Sequence, residues 1–213
     1  MLSHVDEELL KRAEAAVGFM PRAEGLALYE AGRRAAANGP LLEVGSYRGK
    51  SSIYLGAAAR GAGVVLYSID HHRGSEEHQP GEEYHDPDVY DAARGRIDTL
   101  PSFLATLAEA GLNDVVVPLV GRSHELAREW SLPLGLVFID GGHSDSAARA
   151  DLESWAPKVA PGGLLAIHDV FEDPAAGGRP PFDIYKSALE GGYFVDEGRE
   201  GSLRVLERVG DRI

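Results

Sequence analysis

Leu41-Leu42-Glu43-Val44-Gly45-Ser46-Tyr47-Arg48-Gly49-Lys50-Ser51 is the stretch on which the fold turns. A short apolar strand reaches an acidic residue, and two glycines four apart then open a helix. That helix continues through Ser52-Ile53-Tyr54-Leu55-Gly56-Ala57-Ala58-Ala59. Gly45 and Gly49 carry no side chain, so a ligand can press against the backbone of the turn. The free N–H groups at the helix start, together with Ser51, suit a carboxylate or another anion. Glu43 would repel a phosphate. It suits a ligand that carries an ammonium as well as a carboxylate, such as the methionine part of S-adenosylmethionine. A nicotinamide-dependent oxidoreductase calls instead for Gly-x-Gly-x-x-Gly with a pyrophosphate on the helix, which this turn does not offer.

Outward from this turn, strands and helices alternate. Near-continuous apolar runs at 41–45, 64–69, 114–120, 134–140 and 163–168 read as parallel strands covered on both faces. Helices at about 50–60, 101–110, 122–130 and 144–158 separate them. The pattern predicts an α/β fold with a doubly wound, mostly parallel sheet. A helix near 182–190 then precedes Tyr193-Phe194-Val195 and Ser202-Leu203-Arg204-Val205-Leu206. These last two runs predict an antiparallel hairpin on the sheet edge, for seven strands in all. Two helices, at 4–16 and 22–37, form an N-terminal section spanning 1–37. No linker divides the chain, so 1–213 reads as a single domain.

One segment breaks the rhythm. Residues 71–98 carry His71, His72, His78 and His85 among many acids. A connection this long is expected to act as a lid over the site. Within it, Asp86-Pro87 reads as a helix cap followed by a first-turn proline. His4, His71, His72, His78 and His85 are expected to be exposed and inert, and Trp130 and Trp155 to be core.

Composition narrows the function. The formal charge is −13, from 34 acids against 21 bases, which disfavours a nucleic-acid substrate. There is no cysteine, so disulfides and thiolate metal sites are excluded. No apolar run is long enough to span a membrane. Met-Leu-Ser-His-Val-Asp-Glu-Glu at the start lacks the basic-then-apolar pattern of a secretory signal. The expectation is a cytoplasmic enzyme with a small-molecule substrate, its N-terminal helices free to cover the site or to make a homodimer contact.

Ligands of open parallel sheets bind beyond the carboxyl ends of the strands. All five predicted strands end in polar residues. After Glu43 and the glycine turn, the second strand ends in Asp70, whose carboxylate can accept the two hydroxyls of a ribose. The third leads to Gly121-Arg122-Ser123-His124, near where a nucleobase would lie. The fourth ends in Asp140-Gly141-Gly142-His143 and the fifth in His168-Asp169. Asp140, His168 and Asp169 are placed to share one ion. Oxygen donors favour magnesium, and a histidine ligand opens the site to manganese, iron or zinc. His143 titrates near neutral pH and can take a proton from a substrate hydroxyl.

With these residues laid out, the chain resembles the class I S-adenosylmethionine-dependent methyltransferases. The pattern is that of the metal-dependent O-methyltransferase branch, which includes catechol O-methyltransferase and the macrocin-type sugar O-methyltransferases. Glu43-Val44-Gly45-Ser46-Tyr47-Arg48-Gly49-Lys50-Ser51 is similar to that family's Glu-Leu-Gly-x-Tyr-x-Gly-x-Ser turn. The resemblance implies a Rossmann-like methyltransferase fold. It implies cofactor contacts from Gly45, Ser51, Asp70, Ser123 and His124; Glu43, Gly49 and Asp140 are expected beside them, and Tyr47 inside the turn is expected to pack on the cofactor or on the lid. Phe138-Ile139-Asp140-Gly141-Gly142-His143 is similar to the segment where catechol enzymes place a metal aspartate and, three residues on, a catalytic lysine, a position held here by His143. Ile167-His168-Asp169-Val170 resembles the second metal segment, with His168 where an aspartate is usual. The implied activity is methyl transfer to a hydroxyl oxygen, of a sugar or saccharide first and of a phenol or catechol as the alternative, with magnesium as the expected ion.

Overall fold

The computed structural model describes residues 4–75, 78–82, 85–142, 144–173 and 175–210. From Leu41 onward the chain alternates strand and helix: β1 (Leu41–Val44), α3 (Lys50–Ala62), β2 (Leu66–Asp70), α4 (Leu100–Ala110), β5 (Val116–Val120), α5 (Ser123–Arg128), β6 (Leu134–Ile139), α6 (Asp145–Trp155) and β7 (Val159–Ile167). Ahead of it lie α1 (His4–Ala15) and α2 (Arg22–Ala35), and behind it α7 (Pro180–Glu190) with the hairpin β8 (Phe194–Glu200) and β9 (Leu203–Arg208). The sheet has seven strands in the order β5-β2-β1-β6-β7-β9-β8. β5, β2, β1, β6 and β7 run parallel, β9 pairs antiparallel with β7, and β8 with β9.

Both faces of the sheet are covered, so the central strands are apolar throughout. Leu41, Leu136, Phe138 and Leu164 pack beneath α1–α3. Leu42, Val137, Ile139 and Leu165 pack with Trp155 of α6 and Ile184 of α7. The strand order reverses at β1, between neighbours β2 and β6, and that switch opens the crevice in which α/β sheets bind ligands.

The differences from the sequence expectation are local. Val64 and Val65 lie outside β2, because the left-handed Gly63 ends α3 and Val64 N–H bonds back to Ala59. β7 begins at Val159 rather than 163; Pro161-Gly162-Gly163 hides its start in the sequence, and the pairing with β6 shifts register there. Trp155 is fully buried as expected, whereas Trp130 is only half-buried and packs edge-on against Tyr67 and Trp155. His72 is enclosed at 1% exposure rather than solvated, bonded through Nδ1 to Thr99 and packed on Phe103. Burial pushes its pKa down. In the 71–98 segment, Asp86 caps a 3-10 turn at Pro87–Val89, followed by a short ladder of β3 (Tyr90–Asp91) and β4 (Arg96–Ile97). No helix among the described residues is long and apolar enough to cross a membrane.

Candidate active site

The turn after β1 is built by close backbone approach. Gly45 has φ +89°, and a side chain there would overlap the carbonyl of Asp140 at the tip of β6. Gly49, at φ +94°, caps α3 without a side-chain hydrogen bond, so the first N–H groups of this 13-residue helix have no side-chain cap. Asp70 at the end of β2 fastens this turn. Its Oδ2 accepts from Ser46 N at 3.0 Å and Tyr47 N at 2.9 Å, and its Oδ1 accepts from His72 N at 2.7 Å. Among the described residues only Tyr47, His72 and Asp169 hold a positive φ without being glycine. All three follow the carboxyl ends of sheet strands, so the backbone strain is concentrated where the site lies.

Glu43 is fully buried under the first turn of α3. Its Oε2 accepts from Ser52 and Ser68, both at 2.5 Å. Burial pushes its pKa up to about 7, against the lowering effect of Ser51, Ser52 and Ser68. Among the described residues Glu43 Oε1 and Ser46 Oγ are buried with no hydrogen-bond partner. Two unsatisfied polar atoms beside a glycine turn are what a polar ligand head group would complete.

Tyr47 points into the 71–98 segment. Its hydroxyl donates to Asp86 at 2.6 Å, Arg48 pairs with the same carboxylate at 2.9 Å, and its ring stacks on His78 with centroids 5.6 Å apart. Phe19, 61% exposed in the α1–α2 connection, lies 5.5 Å from the Tyr47 ring. Ser75 of the same segment bonds His78 at 2.6 Å and sits against Gly142, so the segment bridges the turns after β1 and β6. On the other flank, Ser123 accepts from Trp155 Nε1 at 2.7 Å, and His124 is 3.3 Å from Glu125. The buried Asp151 also bonds Ser123, and burial raises its pKa to about 6. Sequence reasoning missed Asp151, which looks like any polar position of an amphipathic helix.

Asp140, His168 and Asp169 come together. Their ligand atoms all lie within 4.8 Å of one another. His168 Nδ1 stands 3.0 Å from Asp140 Oδ1 and 3.5 Å from Asp169 Oδ1. A fourth residue was not foreseen. Glu24, from the first turn of α2, places Oε2 at 2.6 Å from His168 Nε2. Glu24 also accepts from the backbone N–H of Ser202 at 2.9 Å and from its hydroxyl at 3.1 Å. Burial alone would raise Glu24, but the bonds from His168 and Ser202 outweigh it and hold the carboxyl below its usual range. For His168, burial works against charge, yet the carboxylate of Asp140, with hydrogen bonds to Asp140, Asp169 and Glu24, pushes the ring up to about 12. This is a place that holds positive charge. Beside it, a small cavity is floored by Ile139, Ala148, Ile167 and Ile184 and edged by Pro181. His143, the base expected from the sequence, lies outside the described residues.

With the switch-point crevice, glycine turn and acidic strand tips in place, comparison with known proteins gives the class. Residues 42–170, more than half of the chain, match the methyltransferase-domain family, and the chain belongs to it. Solved structures of similar fold include the O-methyltransferase NovP, with TM-score 0.70 and 18% identity over 96% of this chain and 88% of that one. The methyltransferase PaMTH1 of Podospora anserina, solved with S-adenosylhomocysteine, gives 0.67 at 11% identity over 98% and 89%. The O-methyltransferase TomG of Streptomyces achromogenes, solved with S-adenosylmethionine, gives 0.62 at 16% identity over 99% and 92%. The fold is therefore the Rossmann-like methyltransferase fold.

Proposed function

We propose that this methyltransferase moves the methyl group of S-adenosylmethionine to a hydroxyl oxygen of a small molecule, with a divalent cation held by Asp140, His168 and Asp169. The observation that carries the reading is the meeting of these three side chains at the tips of adjacent strands, β6 and β7. Their chemistry fits an ion. Three carboxylates, Glu24, Asp140 and Asp169, surround one imidazole in a site where their side-chain exposures are only 8%, 22% and 31%. One imidazolium leaves that cluster net negative, and partly desolvated negative charge calls for a counter-ion. The two carboxylates favour magnesium, and the ring nitrogen opens the site to manganese, iron or zinc.

The reaction is an in-line displacement. The acceptor oxygen forms its bond to the methyl carbon as the carbon–sulfur bond breaks, and S-adenosylhomocysteine leaves as a neutral thioether. A cation at this site would lower the pKa of a hydroxyl bound to it. His143 collects the acceptor's proton, a contribution of roughly 10²–10⁴-fold. Glu43 and Ser46, with their unsatisfied oxygens, meet the amino-acid end of the cofactor, Asp70 the ribose side, and Ser123 and His124 the adenine side. Most of the protein's work is proximity and orientation.

For the acceptor we favour a sugar or saccharide, supported by the polar, histidine-bearing 71–98 segment, whose Asp86 and His78 meet Tyr47 of the glycine turn. A phenol or catechol is the second reading, supported by the Phe19, Tyr47 and His78 rings, which offer planar surfaces to an aromatic acceptor. Calorimetry with S-adenosylhomocysteine and with NADH, then methyl-transfer assays on sugar glycosides and catechols with and without chelator, test all of this. Binding of the first ligand only, and turnover that stops on chelation and returns with a divalent ion, is the expected result. Full turnover in chelator removes the ion from the reading, and NADH binding removes the class of reaction.

A further inference from the structure

Glu24 and Ser202 both lie outside residues 42–170, the part of the chain shared with the family. They nevertheless close on the site. Glu24 comes from α2, 144 positions before His168, and Ser202 from the β8–β9 turn. Room for the carboxylate is made by Gly201, where a Cβ would overlap Glu24 Oε1. Next to it, Gly25 lets α2 settle on the Tyr54 ring, where a Cβ would also overlap. Two donors of Ser202 thus hold the Glu24 oxygens, and Oε2 also meets the imidazole.

We infer that Glu24 is a positioning residue for the metal site: it accepts the Nε2 proton of His168 in a hydrogen bond, and so leaves Nδ1, which faces Asp140 and Asp169, as the nitrogen that binds an ion when the ion displaces its proton. The inference rests on the ion-dependent reading above. A histidine can present only one nitrogen to an ion, and which one is decided by what the other donates to. Here Nε2 is enclosed with a carboxylate 2.6 Å away, and Nδ1 is the nitrogen that faces the two aspartates, at 3.0 and 3.5 Å. A carboxylate partner also makes the imidazole a stronger donor to the ion than a neutral partner would. The N-terminal helix and the C-terminal hairpin therefore reach the site through one side chain.

Mn²⁺ binding to the full chain, followed by electron paramagnetic resonance, compares wild type with Glu24→Gln. The glutamine keeps the shape, but its amide cannot accept from both His168 and the Ser202 N–H with full charge. The expected result is Mn²⁺ affinity lowered 10–100-fold, with S-adenosylhomocysteine affinity unchanged and partial recovery in Glu24→Asp. Equal Mn²⁺ affinity in wild type and Glu24→Gln overturns the positioning role and leaves the methyl-transfer reading standing. Failure of wild type to bind Mn²⁺ at all, with methyl transfer intact, overturns the ion and this inference together. Should Glu24→Gln fail to fold, ¹⁵N spectra of the wild-type imidazole with Zn²⁺ decide. A proton on Nε2 with Nδ1 bound to the ion supports the inference, and a proton on Nδ1 overturns it.

Discussion

Glu43 gives a pH signature that can be measured without knowing the substrate. Its carboxyl is fully buried, and burial raises its pKa from 4.5 to about 7. A carboxyl raised in the folded state contributes its stability below the unfolded value, as the neutral acid. That contribution falls as pH rises, because the unfolded chain ionises first, and it is gone once the folded group ionises as well. Each pH unit between 4.5 and about 7 costs about 1.4 kcal/mol, so the total is roughly 3 kcal/mol. Urea unfolding of wild type and Glu43→Gln at intervals from pH 4.5 to 8 isolates the effect, since Asp151 and His168 titrate alike in both. The stability difference should move by roughly 3 kcal/mol in favour of the glutamine variant and level off only above about pH 7. A difference that stays flat, or moves the other way, refutes the assignment. The same group should couple to the cofactor. An ammonium set against the unpartnered Oε1 favours the carboxylate, so S-adenosylhomocysteine should release a proton near pH 6.5. Calorimetry in buffers of different ionisation enthalpy reads that proton, and Glu43→Gln should not release it.

Gly45→Ala places a methyl group into the Asp140 carbonyl and a side chain on a left-handed backbone. It should cost at least about 1–2 kcal/mol from the backbone alone and abolish S-adenosylhomocysteine binding, as thermal unfolding and calorimetry would show. His143→Ala should lower turnover by roughly 10²–10⁴-fold while leaving cofactor affinity nearly unchanged; lost cofactor binding would contradict its role as base. Asp86, despite burial that works against it, is held below the usual carboxylate range by bonds from Tyr47, Asp88 and Arg48. That tie is present above its unfolded pKa of 3.8 and lost as pH falls, so Asp86→Asn should speed proteolytic cleavage within 71–98 at neutral pH and remove its acid dependence.

The parts of this molecule that the sequence made legible are those whose signal is local. Apolar runs of four to six residues bounded by glycine and charge identify β1, β2 and β6, and the rule that ligands gather at strand ends marks Asp140, His168 and Asp169. What stayed hidden depends on contacts between distant segments. Glu24 sits in the first turn of α2, where an acid is expected merely to complement the helix dipole. Nothing near it in the chain announces a histidine 144 residues away. His72 has polar neighbours on both sides and reads as solvated, yet Thr99 and Phe103, brought over by the start of α4, enclose it. The traces such contacts do leave are glycines at close approaches. A side chain at Gly201 would overlap the Glu24 carboxylate, and one at Gly25 the Tyr54 ring against which α2 rests. Chemistry built from one β-α unit can be read along the chain, whereas chemistry completed by a remote helix shows mainly as the small residues that make way for it. That asymmetry explains why the histidine in the second metal segment looked like a departure from the family pattern. Its partner lies on another element, and under the inference above it is Glu24 beside Nε2 that gives an imidazole there a defined donor atom.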